Sequence, residues 1–249
     1  RPALGITPEK ECIMIGTLGS ELIGRLAATG KLDAKELEGK NEKYIITVME
    51  KPLDGVSKAI VIAGSDKRGT IYGIYELSRQ IGVSPWYWWM DVPVARHENI
   101  YASEGLFTDG EPKVAYRGIF INDEWPSFGN WAVEKFGGIN SRCYRHIFEL
   151  LLRLKGNFMW PAMWGSAFYD DDKENGVLAD RMGIVMGTSH HEPMALAQQD
   201  WKRRGTGAWN YVRNEQGLKD FWRSGMERAK DWETMVTIGM RGDGDEAMD

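Results

Sequence analysis

The sequence lacks three features that would each indicate a broad class of protein. It has no Lys- or Arg-rich run and carries a formal charge of −5. A protein that binds nucleic acid needs a basic face to displace counterions from phosphates, so nucleic acid is not an expected partner. No stretch approaches the roughly 20 consecutive apolar residues that cross a bilayer, so no membrane span is predicted. The first ten residues, RPALGITPEK, also lack the charged-then-apolar pattern of a signal peptide.

Cysteine is scarce as well. Cys12 and Cys143 lie far apart and give neither a disulfide framework nor the spacing of metal ligands, so they leave the redox compartment open. With 249 residues, 43% of them hydrophobic, the chain is long enough to bury a sizeable core. We expect one or two soluble globular domains.

Aromatic residues, in contrast, are plentiful, with 11 Trp, 9 Tyr and 8 Phe. Large aromatic side chains favour protein cores first, and flat ligands with polar edges, such as sugar rings, second. Most of them are therefore expected in the core and some at a carbohydrate site.

Residues 1–109 are predicted to form a small α/β domain, because short apolar or β-branched runs alternate with segments of helical spacing. We expect strands at 12–16, 44–48 and 59–64 and helices at 21–28 and 69–81. The apolar side of the second helix is assigned to Ile71, Ile74, Tyr75, Leu77 and Ser78. A turn-rich linker at 108–112 is taken as the domain boundary.

Residues 113–249 repeat a strand, loop and helix unit. We expect strands at 114–121, 156–160, 184–188 and 235–239. We expect helices at 142–154 and 218–232, and between them a helix that closes at 177–182. This βαβ rhythm predicts parallel strands with helical crossovers. Four such units would leave an unpaired sheet edge unless more strands close the sheet into a barrel.

Polar and aromatic residues follow each of the four predicted strands, where the loops of such a barrel carry function. In chain order they are Asn122, Asp123 and Glu124; Trp160 and Trp164; His190, His191 and Glu192; and Arg241, Asp243, Asp245 and Glu246. Paired carboxylates beside aromatic rings suit glycoside hydrolysis, in which one acid protonates the leaving oxygen and another group activates water or attacks carbon.

Each motif also has a purely structural interpretation. Asp123 and Glu124 could cap a helix or form a loop ion pair. Arg241 could pair with a neighbouring carboxylate, or its planar fork could clamp the carboxylate of a substrate. The acidic run at 170–172 is interpreted as the solvated start of a helix.

A metal site is not expected. His190 and His191 are adjacent and lack the i, i+4 spacing of a zinc-binding helix, so we favour hydrogen bonding or substrate contact. The acidic residues at 243–246 lack the ordered ligands and the glycine of a calcium loop. No cofactor is expected either.

Several longer segments of the sequence resemble a known protein family. The segments AGSDKRGTIYGIY at 63–75 and GVSPWYWW at 82–89 are similar to the N-terminal α/β domain of glycoside hydrolase family 115, a domain that also resembles the one preceding the barrel in hexosaminidases. The segments YRGIFINDE, KGNFMWP, GTSHHEPM and MRGDGDE, which begin at 116, 155, 187 and 240, resemble the loops of that family's barrel.

The resemblance implies a small N-terminal α/β domain (1–109), similar to the second domain of hexosaminidases, followed by the first four βα units of a TIM (β/α)8 barrel (113–249). It implies an inverting, metal-independent α-1,2-glucuronidase that removes glucuronic or 4-O-methylglucuronic acid from glucuronoxylan or from uronic acid-substituted xylo-oligosaccharides. The implied catalytic candidates are Asp245, Glu246, Asp123 and Glu124. The implied substrate-binding residues are Arg241, Asn122, Trp160, Trp164, His190, His191, Glu192 and Asp243.

The resemblance also concerns length and location. Members of the family continue through strands five to eight, so we expect this chain to represent a truncated barrel that is inactive by itself. The parent enzyme is expected to be secreted or periplasmic. Two alternatives stay open: a non-catalytic carbohydrate-binding fragment or module, and a stable α/β domain with an incompletely folded barrel remnant. The sequence leaves open whether the protein forms homo-oligomers.

Overall fold

The computed structural model describes residues 11–122, 125–161 and 165–248 and divides the chain into two compact units. The first unit contains the described residues up to 115 together with 152–155. The second contains the described residues of 116–151 and 156–249. The predicted Asp123, Glu124 and Trp164 therefore lie outside the described residues.

The first unit is built on a four-stranded sheet in the order β1, β3, β2, β4. Strand β3 runs parallel to β1 and antiparallel to β2. The predicted strands and helices of this unit are confirmed within a few residues at their ends. The elements are β1 (Glu11–Thr17), α1 (Glu21–Ala28), a 3-10 turn (Ala34–Glu36), β2 (Tyr44–Glu50), β3 (Lys58–Gly64), α2 (Lys67–Gln80) and β4 (Leu106–Phe107).

Helix α2 begins and ends where its sequence provides caps. The Asp66 carboxylate accepts a hydrogen bond from the Gly69 backbone N–H at 2.8 Å, which satisfies one of the free donors of the first turn. Gly82, just past the helix, has a φ of 97°, a left-handed conformation that glycine adopts without a steric penalty.

The buried face of α2 differs from the predicted one. Instead of the apolar side assigned from the sequence, Gly69, Tyr72, Gly73 and Glu76 are buried, while Ile74 is 38% exposed. The two glycines decide this. An added Cβ at Gly69 would collide with the carbonyl oxygen of Lys43, just before β2, and an added Cβ at Gly73 would lie 2.6 Å from Ile62 Cγ2 in β3. Close backbone approach, rather than apolar periodicity, therefore sets the rotation of the helix.

The second unit contains a parallel three-stranded sheet in the order β5, β6, β7, which is also the order along the chain. The predicted helices at 142–154 and 218–232 and the one that closes at 177–182 are confirmed within a few residues, whereas the helices at 127–136 and 198–204 were not predicted. The elements are β5 (Gly118–Phe120), α3 (Ser127–Phe136), α4 (Ser141–Arg153), β6 (Phe158–Trp160), α5 (Phe168–Asp171), α6 (Glu174–Met182), β7 (Val185–Met186), α7 (Gln198–Arg204) and α8 (Glu215–Ala229).

The fourth predicted strand, at 235–239, is not formed as a strand. The segment touches β7 only through a parallel bridge between Met186 and Thr234, and the Met235 N–H donates to the Met186 carbonyl at 3.0 Å. Ile238 is 83% exposed. Among the described residues no further strand pairs with the outer side of this segment, so the ladder that would hold it extended is missing.

The search for membrane-spanning helices covered the described part of the chain. None of the helices found there is both long and apolar enough to cross a bilayer.

Candidate active site

The loops that follow β7 and the 235–239 segment lie next to each other. The Thr237 hydroxyl donates to the Thr188 carbonyl at 3.2 Å, and the Met194 N–H donates to the Thr237 carbonyl at 2.9 Å. These bonds continue the contact that starts at Met186. They bring the loop at 188–192 against the loop at 241–246, as expected for the carboxyl ends of neighbouring parallel strands.

At the centre of this contact lies the Asp245 carboxylate. Its Oδ1 atom is 2.7 Å from the Arg241 guanidinium and 3.1 Å from His190 Nε2, and His191 Nδ1 lies 3.7 Å away. Arg241 and His190 are each about half exposed, whereas His191 is 1% exposed. The cluster thus joins an accessible cation and an accessible imidazole to a carboxylate and a buried imidazole.

The charges of this cluster set the ionisation of two of its members. Burial tends to raise the pKa of Asp245, but the hydrogen bond with His190 and the charge of Arg241 outweigh it, so the pKa lies below its usual value. Burial lowers the pKa of His191 more than the charge of Asp245 raises it, and the nearby His190 and Arg241 add to the lowering. At neutral pH the cluster therefore holds an ionised Asp245 and a neutral His191.

Glu192 has the opposite environment. Its side chain is 2% exposed, and its two carboxyl oxygens face the backbone N–H groups of Gln198 at 3.0 Å and Ser189 at 3.4 Å. Burial raises the pKa of Glu192 to about 7 in spite of these bonds. The carboxyl group stabilises the 189–198 loop from inside, so direct contact with a sugar would require the loop to open.

Trp160 forms one wall beside the cluster. At the end of β6, its ring lies 6.2 Å from that of His190 and 5.2 Å from that of Phe120. Its indole Nε1 atom is buried and has no hydrogen-bond partner among the described residues. Trp160 and His190 line an open pocket of about 480 Å³ together with Thr188 and residues 235–237. This volume lies in the range of small-molecule sites.

A larger groove, of about 970 Å³, lies in the first unit and is lined by residues between 25 and 31 and between 51 and 57. We place the candidate site at the smaller pocket. At this pocket Trp160, at the end of β6, meets Thr188 and His190, which follow β7, and the carboxyl ends of parallel strands are where barrel enzymes hold their catalytic groups.

The loop at 241–246 is a tight turn closed by its own backbone. The Gly242 N–H donates to the Glu246 carbonyl at 2.9 Å, and Asp245 has a φ of 72°. A left-handed conformation is uncommon outside glycine, although Asp tolerates it better than most residues. This conformation aims the Asp245 carboxylate back at Arg241 and the histidines.

Two residues that the sequence did not indicate also contact this loop. The Gln198 side-chain amide donates to Asp243 Oδ1 at 2.6 Å, and the Trp209 indole N–H donates to the Arg241 carbonyl at 2.8 Å. Neither follows a strand directly, and neither belongs to a motif, so no local signal pointed to them.

The other predicted residues have simpler environments. Asn122 and Glu246 are exposed. Within the acidic run at 170–172, Asp172 accepts hydrogen bonds from the backbone N–H groups of Ser141 and Glu174, both at 2.9 Å, at the start of helices α4 and α6. Asp170 and Asp171 pair with Arg203. This supports the structural interpretation of that run.

His190, His191 and Asp245 also offer ligand atoms within 4.8 Å of one another, a spacing that could surround a metal ion. A cation there would compete with the Arg241 guanidinium, which lies 2.7 Å from Asp245 Oδ1. A cation bound through His191 Nδ1 would also displace the Ser189 hydroxyl, which lies 3.0 Å from that atom. The arrangement favours an ion-pair network, and the expected absence of a metal stays a prediction.

Comparison with known proteins identifies the family. The model of glycosyl hydrolase family 115 matches residues 109–249, more than half of the chain. The chain belongs to glycosyl hydrolase family 115. Its fold is also similar to a solved structure titled as a novel family GH115 4-O-methyl-α-glucuronidase, BtGH115A, with specificity for decorated arabinogalactans. The match has 39% identity and a TM-score of 0.84, and it covers 95% of this chain and 31% of that chain. No curated protein matches.

Proposed function

We propose that the protein is a glycoside hydrolase that releases α-linked glucuronic acid or 4-O-methylglucuronic acid from the side chains of a polysaccharide. The observation that carries this proposal is the cluster in which Arg241 and His190, both accessible, meet Asp245 at the edge of the Trp160 pocket. A uronic acid is a sugar ring with a carboxylate. The cluster offers a guanidinium paired with Asp245, and Asp245 also contacts His190, whose ring lies 6.2 Å from that of Trp160. Membership of family 115 supports the same conclusion.

In this proposal Arg241 binds the uronate carboxylate through its planar fork of N–H donors. Asp243 and His190 bind sugar hydroxyl groups, and Trp160 packs against the ring. Asn122 and Trp164 complete the sugar contacts at the loops that follow the first two strands.

The ionised Asp245 suits the role of a base or of a hydroxyl acceptor better than that of an acid, because its pKa is lowered. The acid that protonates the leaving oxygen is then sought among Glu246, Asp123 and Glu124. Glu192 and His191, both buried, support the loop from behind. The proposed mechanism is inverting and needs no metal or other cofactor.

The aglycone is the less constrained half of the substrate. The sequence resemblance points to α-1,2-linked uronate on glucuronoxylan or xylo-oligosaccharides, whereas BtGH115A has specificity for decorated arabinogalactans. Both kinds of polymer can present a terminal uronic acid, which is the part that the described site addresses. We therefore propose that the site recognises the uronate. Uronic acid release from each of the two polymers determines which of them is the substrate.

We further propose that residues 1–109 form an N-terminal domain similar to the second domain of hexosaminidases and that residues 113–249 form the first half of a (β/α)8 barrel. The parallel order of β5, β6 and β7 supports the second assignment. Since the chain covers only 31% of BtGH115A, we expect it to be inactive by itself and active within a longer polypeptide. A secreted or periplasmic location follows from the resemblance.

The test is uronic acid release. This chain, and a longer polypeptide that contains it, are incubated with glucuronoxylan and with glucuronate-decorated arabinogalactan, and free uronic acids are separated by anion-exchange chromatography. An inverting enzyme yields the β-anomer first, which proton NMR detects. If no preparation releases uronic acid while calorimetry detects oligosaccharide binding, the carbohydrate-binding alternative replaces the proposed activity.

A further inference from the structure

The loop at 241–246 is held from one side by a single excursion of the chain, residues 195–232, which contains α7 and α8. Two side chains of this excursion reach the loop: Gln198 contacts Asp243, and Trp209 contacts the Arg241 carbonyl. Both contacts lie next to residues to which the proposed function assigns uronate or sugar binding.

Gln198 connects the two loops that form the site. Its backbone N–H donates to the Glu192 carboxyl group in the loop after β7, and its side-chain amide donates to Asp243 in the loop at 241–246. The side chain is 3% exposed, and its Oε1 atom has no hydrogen-bond partner among the described residues. A buried acceptor left unpaired is costly. The bond to a carboxylate, which is stronger than a neutral one, offsets part of that cost and fixes the orientation of the amide.

Trp209 acts as a second, independently supported donor. Its ring packs on Trp201 at 5.2 Å between centroids and lies near Phe221 and Trp222, in a cluster whose centre includes the buried Leu218. Because this cluster fixes the ring, the indole N–H is delivered to the Arg241 carbonyl from a rigid platform. Rotation of the Arg241 backbone would break that bond.

We propose that Gln198 and Trp209 are positioning residues that hold the loop at 241–246 in the conformation in which Arg241 and Asp245 bind the uronate. The part of this inference that concerns uronate binding rests on the proposed function. That Gln198 and Trp209 hold the loop is a separate, structural claim. Neither side chain contacts the proposed substrate. Each acts through the loop.

The chain offers matched controls for both residues. Trp222→Phe removes an indole from the same aromatic cluster, but the Trp222 N–H has no hydrogen-bond partner among the described residues. Gln199→Met changes the next residue of α7, for which no side-chain hydrogen bond is found within the described part of the chain. Trp209→Phe and Gln198→Met remove only the two donors that reach the loop, apart from small changes in volume.

The first measurement is the order of the loop in this chain. Backbone ¹⁵N relaxation of residues 241–246 should report order parameters near the rigid value of about 0.85 in the starting protein and toward about 0.6 in Trp209→Phe and Gln198→Met. Both control variants should keep the starting values. Equal order in all five proteins would overturn the proposal. Thermal unfolding identifies a variant that fails to fold, and the other member of the pair then decides.

The second measurement uses a preparation that releases uronic acid. Each positioning variant should lower kcat/KM about fivefold to tenfold, mainly through a higher KM, because one hydrogen bond that orders a binding group is lost. In an Arg241→Lys background Trp209→Phe should have a clearly smaller further effect, since one of the two groups that it positions is already replaced. Additive losses would indicate a merely structural role and overturn the proposal. If no preparation releases uronic acid, the proposed function fails, while loss of loop order in the two variants alone still supports the positioning claim.

Discussion

The buried carboxyl group of Glu192 should make the stability of the second unit depend on pH, and Glu192→Gln should remove that dependence. The carboxyl group is 2% exposed, so solvent does not screen it, and burial raises its pKa from 4.5 to about 7. A tenfold change in an ionisation constant corresponds to about 1.4 kcal/mol, so the difference between these two pKa values corresponds to about 3 kcal/mol.

The direction of the pH dependence follows from the protonation state of Glu192 that the folded protein favours. The folded protein accommodates the protonated carboxyl and disfavours the ionised one. The contribution to stability is therefore complete below about pH 4.5 and is lost as the pH rises through about 7. His191 acts in the opposite direction, because its pKa is lowered and its protonation on acidification destabilises the fold. That effect is present in both proteins and cancels in their difference.

The assay is urea unfolding followed by tryptophan fluorescence, for the starting protein and Glu192→Gln, at intervals from pH 4.5 to pH 8. The glutamine oxygen still accepts the Gln198 N–H bond, while the weaker bond from Ser189 is lost, which costs about 1 kcal/mol at every pH. The two stability curves should therefore differ in slope, with the variant gaining about 3 kcal/mol relative to the starting protein across the range. Parallel curves would refute the reasoning and show that folding leaves the pKa of Glu192 near its ordinary value.

Three further predictions follow from other features. In a preparation that releases uronic acid, Arg241→Lys should lower kcat/KM for uronic acid-bearing oligosaccharides roughly 10- to 100-fold, because a point charge replaces a planar fork. Arg223→Lys on the exposed side of α8 should leave kcat/KM unchanged, and equal effects of the two substitutions would count against the clamp. Treatment with EDTA should leave uronic acid release intact, and elemental analysis should find no stoichiometric metal, whereas activity restored by added zinc would contradict the ion-pair network. Gly73→Ala should destabilise the first unit by about 1–3 kcal/mol, because the added Cβ would lie 2.6 Å from Ile62 Cγ2. Gly24→Ala in α1, where an added Cβ would have no atom within 4 Å, should instead stabilise the unit by roughly 0.5–1 kcal/mol. Thermal unfolding of both variants measures the two changes, and the opposite sign for either one would contradict the prediction.

The sequence predicts the elements of the first unit well because its signals are local. A cap at Asp66, a left-handed glycine at 82 and β-branched runs each act within a few residues. The rotation of α2 was mispredicted because it depends on the close approach of Gly69 to the Lys43 backbone and of Gly73 to Ile62. A pattern of apolar residues does not show how closely two segments of backbone approach. Burial of Glu76 on that face is likewise invisible to a hydrophobic pattern.

Some features of the candidate site could likewise be predicted from the sequence, and others could not. Arg241, Asp245 and the histidines could be predicted to meet, since loops after neighbouring parallel strands share one face. The raised pKa of Glu192 could not be predicted, because it depends on burial that only the folded loop provides. Gln198 and Trp209 could not either, since they belong to the excursion between the strands and reach the loop across 45 and 32 residues.

The pairing of His190 with Asp245 joins residues 55 positions apart in the chain. Closing a segment of that length costs conformational entropy before any contact repays it, and such closures are slow compared with helix formation. During synthesis the helices of the excursion can form while the site still lacks its carboxylate, because Asp245 follows both helices in the chain. The cluster of Arg241, His190 and Asp245 should therefore be completed only after α7 and α8 have formed, and a ribosome that stalls within the excursion would leave a chain with folded helices and without this cluster.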